Sequence, residues 1–169
     1  PEDMPRTMAA AVSEATRLAE AGDASARALL TSGFHDRQRR FVGRFRNTPW
    51  CVGIVWSVNS SPDVAGEATD FKNKWGREVQ EGLYGPKRKA DLDGEYIDSS
   101  EAYVTAVLDY RRDHLAAARF PLGFGTESFA PAMLRPIIAH QYIRGLADAV
   151  HARGKLMMAN ATPAGVCYL

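Results

Sequence analysis

Three features of this 169-residue chain predict an α/β fold built on parallel strands. Strand-like apolar runs alternate with longer helical patterns, the order that produces right-handed βαβ crossovers. The runs are nearly continuous in their apolarity, as in strands covered on both faces. Three of them finish on a polar side chain, at Asn59, Asp98 and Asn160. In a parallel sheet all such ends share one rim, so these residues are expected to converge. A single domain over residues 1–169 is expected, with a helical segment at 1–35 leading into βα units over 40–169.

From Thr7 to Leu30, Met8, Val12, Ala15, Leu18 and Ala19 recur at helical spacing, and Gly22-Asp23 is expected to break the helix before a shorter one ends at Gly33. Arg40 to Arg46 alternates as a half-exposed strand closed by Asn47-Thr48-Pro49. Cys51 to Asn59 is the most strand-like run, β-branched and aromatic. Phe71, Trp75, Val79 and Leu83 fall at four-residue intervals and give the helix expected over Glu67–Leu83 one aromatic face. Gly85-Pro86 stops it before the acidic strand over Ala90–Glu101. A second helical pattern covers Glu101–Arg119, and Phe120–Pro131 is a Gly-rich loop or short strand. Met133–Arg153 predicts a helix stopped by Gly154, and Lys155–Asn160 predicts a buried strand.

The formal charge is +1 with acids and bases interleaved, which gives no electrostatic case for nucleic acid or an anionic membrane surface. No apolar run approaches a membrane span, and the first residues lack the basic-then-apolar order of a signal peptide. Location stays open. Cys51 and Cys167 form no metal-type pair, and buried free thiols are expected. The four histidines have no ligand spacing and are expected to be exposed. Asp91, Asp93 and Glu95 begin like a calcium loop, but Tyr96 stands where its glycine belongs and Ala102 where its last carboxylate belongs. No metal or cofactor is expected.

The densest cluster of acids is Ala90 to Glu101, which carries five carboxylates on a strand-like pattern. Within it, Asp93-Gly94-Glu95-Tyr96-Ile97-Asp98 resembles the D-G-x-Y-x-D strand of (β/α)8-barrel glycoside hydrolases, α-galactosidase-like and polygalactosaminidase-like families in particular. The run Lys155-Leu156-Met157-Met158-Ala159-Asn160-Ala161-Thr162-Pro163 is similar to a following barrel strand whose terminal Asn lines the sugar site. The resemblance covers residues 50 to 165, and its specific part is about a dozen residues within a fold of some ~250 residues. It implies that Asp98 is a nucleophile or acid/base in the cleavage of glycosidic bonds. A full barrel is longer than this chain, so the resemblance also implies part of a barrel, a half TIM barrel completed by oligomerisation or belonging to a longer enzyme.

Glycoside hydrolysis needs a second carboxyl group flanking the bond. Glu101 is the nearer candidate and Glu127, in the Gly-rich loop, the alternative. Against a catalytic role, Asp98 can cap the following helix and Glu101 can serve as its first-turn acid. Tyr96, Asn59, Asn160 and Trp56 are candidate sugar contacts, with Trp56 also fitting a core position. A buried Glu95 needs a partner, Arg44 or Arg46, or it will be protonated. The partners expected are a carbohydrate substrate and a second copy of the chain. A non-catalytic carbohydrate-binding or assembly domain, or a barrel fragment without activity of its own, is the alternative.

Overall fold

The computed structural model describes residues 4–98 and 107–160. Helix α1 (Met8–Glu20) begins where Thr7 Oγ1 accepts the Ala10 amide, and α2 (Ala24–Ser32) begins where the Asp23 carboxylate accepts that of Ala26. The break read at Gly22-Asp23 is thus a turn followed by a capped start.

Strands β1 (Gly43–Thr48) and β2 (Cys51–Trp56) pair antiparallel, with Thr48 opposite Cys51. Only Pro49 and Trp50 join them. A link that short makes a hairpin and cannot make the crossover that parallel strands require, which corrects the expectation of a wholly parallel sheet.

The helix expected over Glu67–Leu83 is two, α3 (Asp70–Trp75) and α4 (Arg77–Tyr84), parted at Gly76 in extended geometry. A Cβ on Gly76 would collide with the Lys72 carbonyl, so the break depends on glycine. The aromatic stripe survives the break. Phe71, Trp75, Val79 and Leu83 still pack into one cluster with Ile97, Leu146 and Val150.

Strand β3 (Gly94–Asp98) is followed by β4 (Leu108–Asp109), α5 (Arg112–Ala117), β5 (Gly123–Phe124), β6 (Pro131–Leu134), α6 (Arg135–His151) and β7 (Leu156–Asn160). Strands β4, β6 and β5 form a small antiparallel sheet in that order. The helix expected over Glu101–Arg119 falls partly on residues 101–106, outside the described residues. Its remainder is β4, a turn and α5. Tertiary bonds win over helical spacing here: the Tyr110 amide donates to the His35 carbonyl, and Asp109 takes donors from three other segments. The last long helix starts later than its pattern suggests because Met133 and Leu134 pair with β4. It stops as expected, with Gly154 at φ +66.

The architecture is therefore mixed α/β with small sheets and, among the described residues, no closed barrel. The one parallel pair among the described residues is β3–β7, registered Gly94 to Leu156 through Asp98 to Asn160. Ile97 and Met157 turn inward onto α4 and α6. Tyr96, Leu156 and Met158 stand on the other face, 56%, 68% and 62% exposed. A second core cluster of Phe34, Met133 and Ile138 lies under Val42, Leu115 and Phe120. Among the described residues no helix is long and apolar enough to cross a membrane.

Candidate functional site

Period-two alternation along β3 sends Gly94, Tyr96 and Asp98 to one face and Glu95 and Ile97 to the other. Parallel register does the same for Leu156, Met158 and Asn160 on β7. Asp98 and Asn160 therefore end adjacent strands side by side, and the Asn160 Nδ2 donates to Asp98 Oδ1 at 2.8 Å. The Tyr96 hydroxyl donates to the same oxygen at 3.3 Å. Both strand-end side chains are solvent-exposed. The arrangement is an oriented carboxylate with an amide and a phenol beside it, on the rim where parallel strands end.

Two of the three polar residues expected at strand ends thus converge; the third, Asn59, lies beyond β2, which ends at Trp56 rather than running on to Asn59. Asn59 is fully buried in another cluster, where its Nδ2 donates to Asp109 Oδ2 at 3.2 Å and contacts the Met133 sulfur at 3.4 Å. It is corrected from a sugar contact to a structural residue. Trp56 is half-buried, edge-on to Phe41 at 5.2 Å, in keeping with its core reading. Glu127 lies on the exposed turn at 126–128, which follows β5 in the antiparallel sheet. Glu101 lies outside the described residues.

Glu95 finds neither of its expected arginines. Its Oε1 accepts the Tyr84 hydroxyl at 2.6 Å beneath the sheet. Burial, and then this bond to a carboxylate, push the Tyr84 phenol up to about 12. Asp93 lies at the opposite end of the strand from Asp98, as expected, with its carbonyl accepting the Leu156 amide.

The strongest polar cluster is one that sequence reasoning missed. Asp109, wholly buried, accepts four hydrogen bonds: the His35 and Arg111 amides on Oδ1 at 3.2 and 3.0 Å, and Asn59 Nδ2 and His114 Nδ1 on Oδ2 at 3.2 and 2.6 Å. The other nitrogen of His114 meets the Thr31 carbonyl at 2.9 Å. That carbonyl can only accept, so Nε2 carries a proton and a second proton lies between Nδ1 and the carboxylate. His114 is 2% exposed, which corrects the expectation that the histidines are exposed. Asp109 and His114 each present their polar atoms to protein partners and none to solvent. Their chemistry is that of a latch joining the end of α2, the loop after β2 and the start of α5.

Cys51 carries a free thiol and is half-buried, not buried as expected. No three His, Cys, Asp or Glu side chains among the described residues are placed to hold a metal ion. Comparison of the chain with protein-family models, with curated proteins and with solved structures finds no match.

Proposed function

We propose that this chain is part of a glycoside-hydrolase barrel in which Asp98 acts on a glycosidic bond. The pairing of Asp98 with Asn160 on neighbouring parallel strand ends carries this reading, because it offers an oriented carboxylate beside a hydrogen-bonding amide on one open rim. The amide holds the carboxylate toward the rim, and Tyr96 adds an aromatic surface of the kind sugars stack on. The sheet covers its opposite face with α4 and α6, as a barrel strand does, and leaves Tyr96, Leu156 and Met158 for further strands to cover. A second copy of the chain is the proposed source of that cover, and sedimentation as a monomer at working concentration would remove that part of the proposal.

Hydrolysis pairs Asp98 with Glu101 or Glu127, one carboxyl protonated and the other ionised. A glycan panel assayed with wild type and Asp98→Asn tests the proposal. Turnover lost in the variant is expected, and turnover retained would remove the assignment. One observation favours a rim that binds sugar without cleaving it: the acids beside Asp98 on its own strand are turned away, Glu95 to Tyr84 and Asp93 to the far end. That reading expects glycan binding with no turnover.

A further inference from the structure

Lys87, Arg88 and Lys89 form the one run of three consecutive basic residues in the chain. They lie between α4 and β3, where residues 85–93 belong to no helix or strand and residues 86–91 are all exposed. Within 86–92 the backbone makes a single hydrogen bond, from the Arg88 amide to the Gly85 carbonyl at 3.1 Å. Pro86 has no amide to donate and cannot continue α4. The ion pair of Arg88 with Asp91 is internal to the loop and exposed, with side chains 41% and 80% accessible, so it ties the loop to nothing else. A protease takes its substrate in extended form, so the segment around a cut must first leave the fold. Almost nothing has to break here, and exposed loops of this kind are where chains are nicked.

The other basic residues that could divide the chain are held. Most lie within helices or β1. Arg37, Arg39 and Arg40 share a turn pinned by Asp36, whose carboxylate accepts the Gln38 and Arg40 amides at 2.8 and 2.9 Å and whose own amide donates to the Arg40 carbonyl. The Arg111 guanidinium donates to the Leu30 and Gly33 carbonyls, and Arg119 donates to Asp63 through both its amide and its side chain. The Arg153 and Lys155 amides both donate to the Val150 carbonyl. Arg6 is exposed ahead of α1, where a cut would trim the end of the chain without dividing it.

A cut in this loop leaves the core joined. Phe71, Trp75, Val79 and Leu83 come from one side of it, and Ile97, Leu146 and Val150 from the other. Across the same divide Asp109 accepts from His35 and Asn59, His114 meets Thr31, and Tyr84 donates to Glu95.

We infer that Lys87-Arg88-Lys89 is a proteolytic processing site, at which an endoprotease selective for basic residues converts the chain into a two-piece protein that stays folded. Water adds across one peptide bond, leaving a carboxylate on Lys87, Arg88 or Lys89 and an ammonium on the residue that follows. The inference is independent of the glycosidase reading, since Asp98 and Asn160 both lie in the second piece and keep their hydrogen bond.

Trypsin is the probe, added at a low ratio to the whole chain in native buffer, with the pieces identified by mass spectrometry and sized by gel filtration. The first cut that divides the chain is expected between residues 87 and 90. The pieces should elute together at the position of the intact chain and part in concentrated urea. Lys87→Gln/Arg88→Gln/Lys89→Gln changes exposed positions and should leave the melting midpoint where it is, while slowing division about tenfold or more. A first dividing cut elsewhere, pieces that separate in native buffer, or a triple variant divided as fast as wild type would each overturn the inference. So would a chain that resists trypsin until it melts, because the cut would then follow global unfolding.

Discussion

Asn160 Nδ2 donates to Asp98 Oδ1 at 2.8 Å across the one parallel register in the described chain. The bond fixes which way the carboxylate faces, so the two residues should fail differently. Asp98→Asn keeps the size of the side chain and removes its charge, and a loss of roughly 10²–10⁴ in kcat is expected for an acid/base group. Asn160→Ala leaves the charge and removes the orientation, with an expected loss of about tenfold in kcat/KM, the scale of one hydrogen bond to a charged group. Steady-state rates on a responsive glycan check both. An Asn160→Ala effect as large as that of Asp98→Asn would mean that Asn160 does more than position.

Asp109 and His114 should behave as a structural pair. Removing one partner leaves the other buried without its bond, at a cost of about 3–5 kcal/mol. Asp109→Asn and His114→Ala are each expected to lower the urea midpoint strongly without changing the slope. The double variant should cost much less than the sum of the two. Additive losses would show that the 2.6 Å contact contributes little.

Much of the secondary structure was legible because local physics decided it. The helix from Thr7, its break at Gly22-Asp23, the four-residue stripe from Phe71 to Leu83 and the stop at Gly154 are all written in short windows of sequence. So was the rim pair, since Asp98 and Asn160 each end an apolar run. Asp109 and His114 were not legible. They are five residues apart, a spacing that fits neither helical neighbours nor a strand face, and their partners Asn59, His35 and Thr31 come from segments far away in the chain. Asn59 misled for the same reason: it closes an apolar run in the sequence but lies in the loop after β2, and a polar residue there looks alike whether it faces solvent or a buried carboxylate. The antiparallel hairpin could have been foreseen, because Pro49 and Trp50 leave no room for a crossover.

Gly94 allows the parallel pair to close. A Cβ there would run into the Leu156 carbonyl, a backbone atom that cannot swing away. Gly94→Ala is therefore expected to cost about 1–3 kcal/mol and to loosen the register that aligns Asp98 with Asn160. Glycan binding should weaken along with the thermal midpoint. A variant as stable as wild type would mean that the strands part readily at this end.

His35 sets an acid limit on stability. Its ring lies edge-on to Phe41 at 4.7 Å, its Nε2 is buried with no hydrogen-bond partner among the described residues, and Arg111 stands nearby. Burial first, and then the Arg111 charge, lower its pKa from 6.5. A group depressed by folding binds its proton more readily unfolded, so its contribution is intact above 6.5 and is lost as pH falls below that value. The wild-type melting midpoint should therefore fall with acid in this range. His35→Phe, which has nothing to protonate, should flatten that part of the profile. An unchanged acid limb in the variant would assign the effect to another group.

Tyr84 sets the alkaline counterpart with the opposite sign. Its phenol is pushed from 10.0 up to about 12 by burial and by its bond to the Glu95 carboxylate, which would face a phenolate as a like charge. Below pH 10 both folded and unfolded chains keep this proton and the contribution is complete. Between 10 and about 12 the unfolded chain gives the proton up while the folded chain holds it, so stability falls as pH rises through that window. Tyrosinate absorbance should show a late-titrating group in the folded protein that Tyr84→Phe removes. The variant should also lose this share of the alkaline decline in stability. Glu95→Gln offers a sharper check, because it keeps a hydrogen-bond acceptor but removes the charge: the late titration should move back toward 10 without disappearing. If it did not move, burial alone would account for the shift, and the carboxylate under β3 would serve only to fill space.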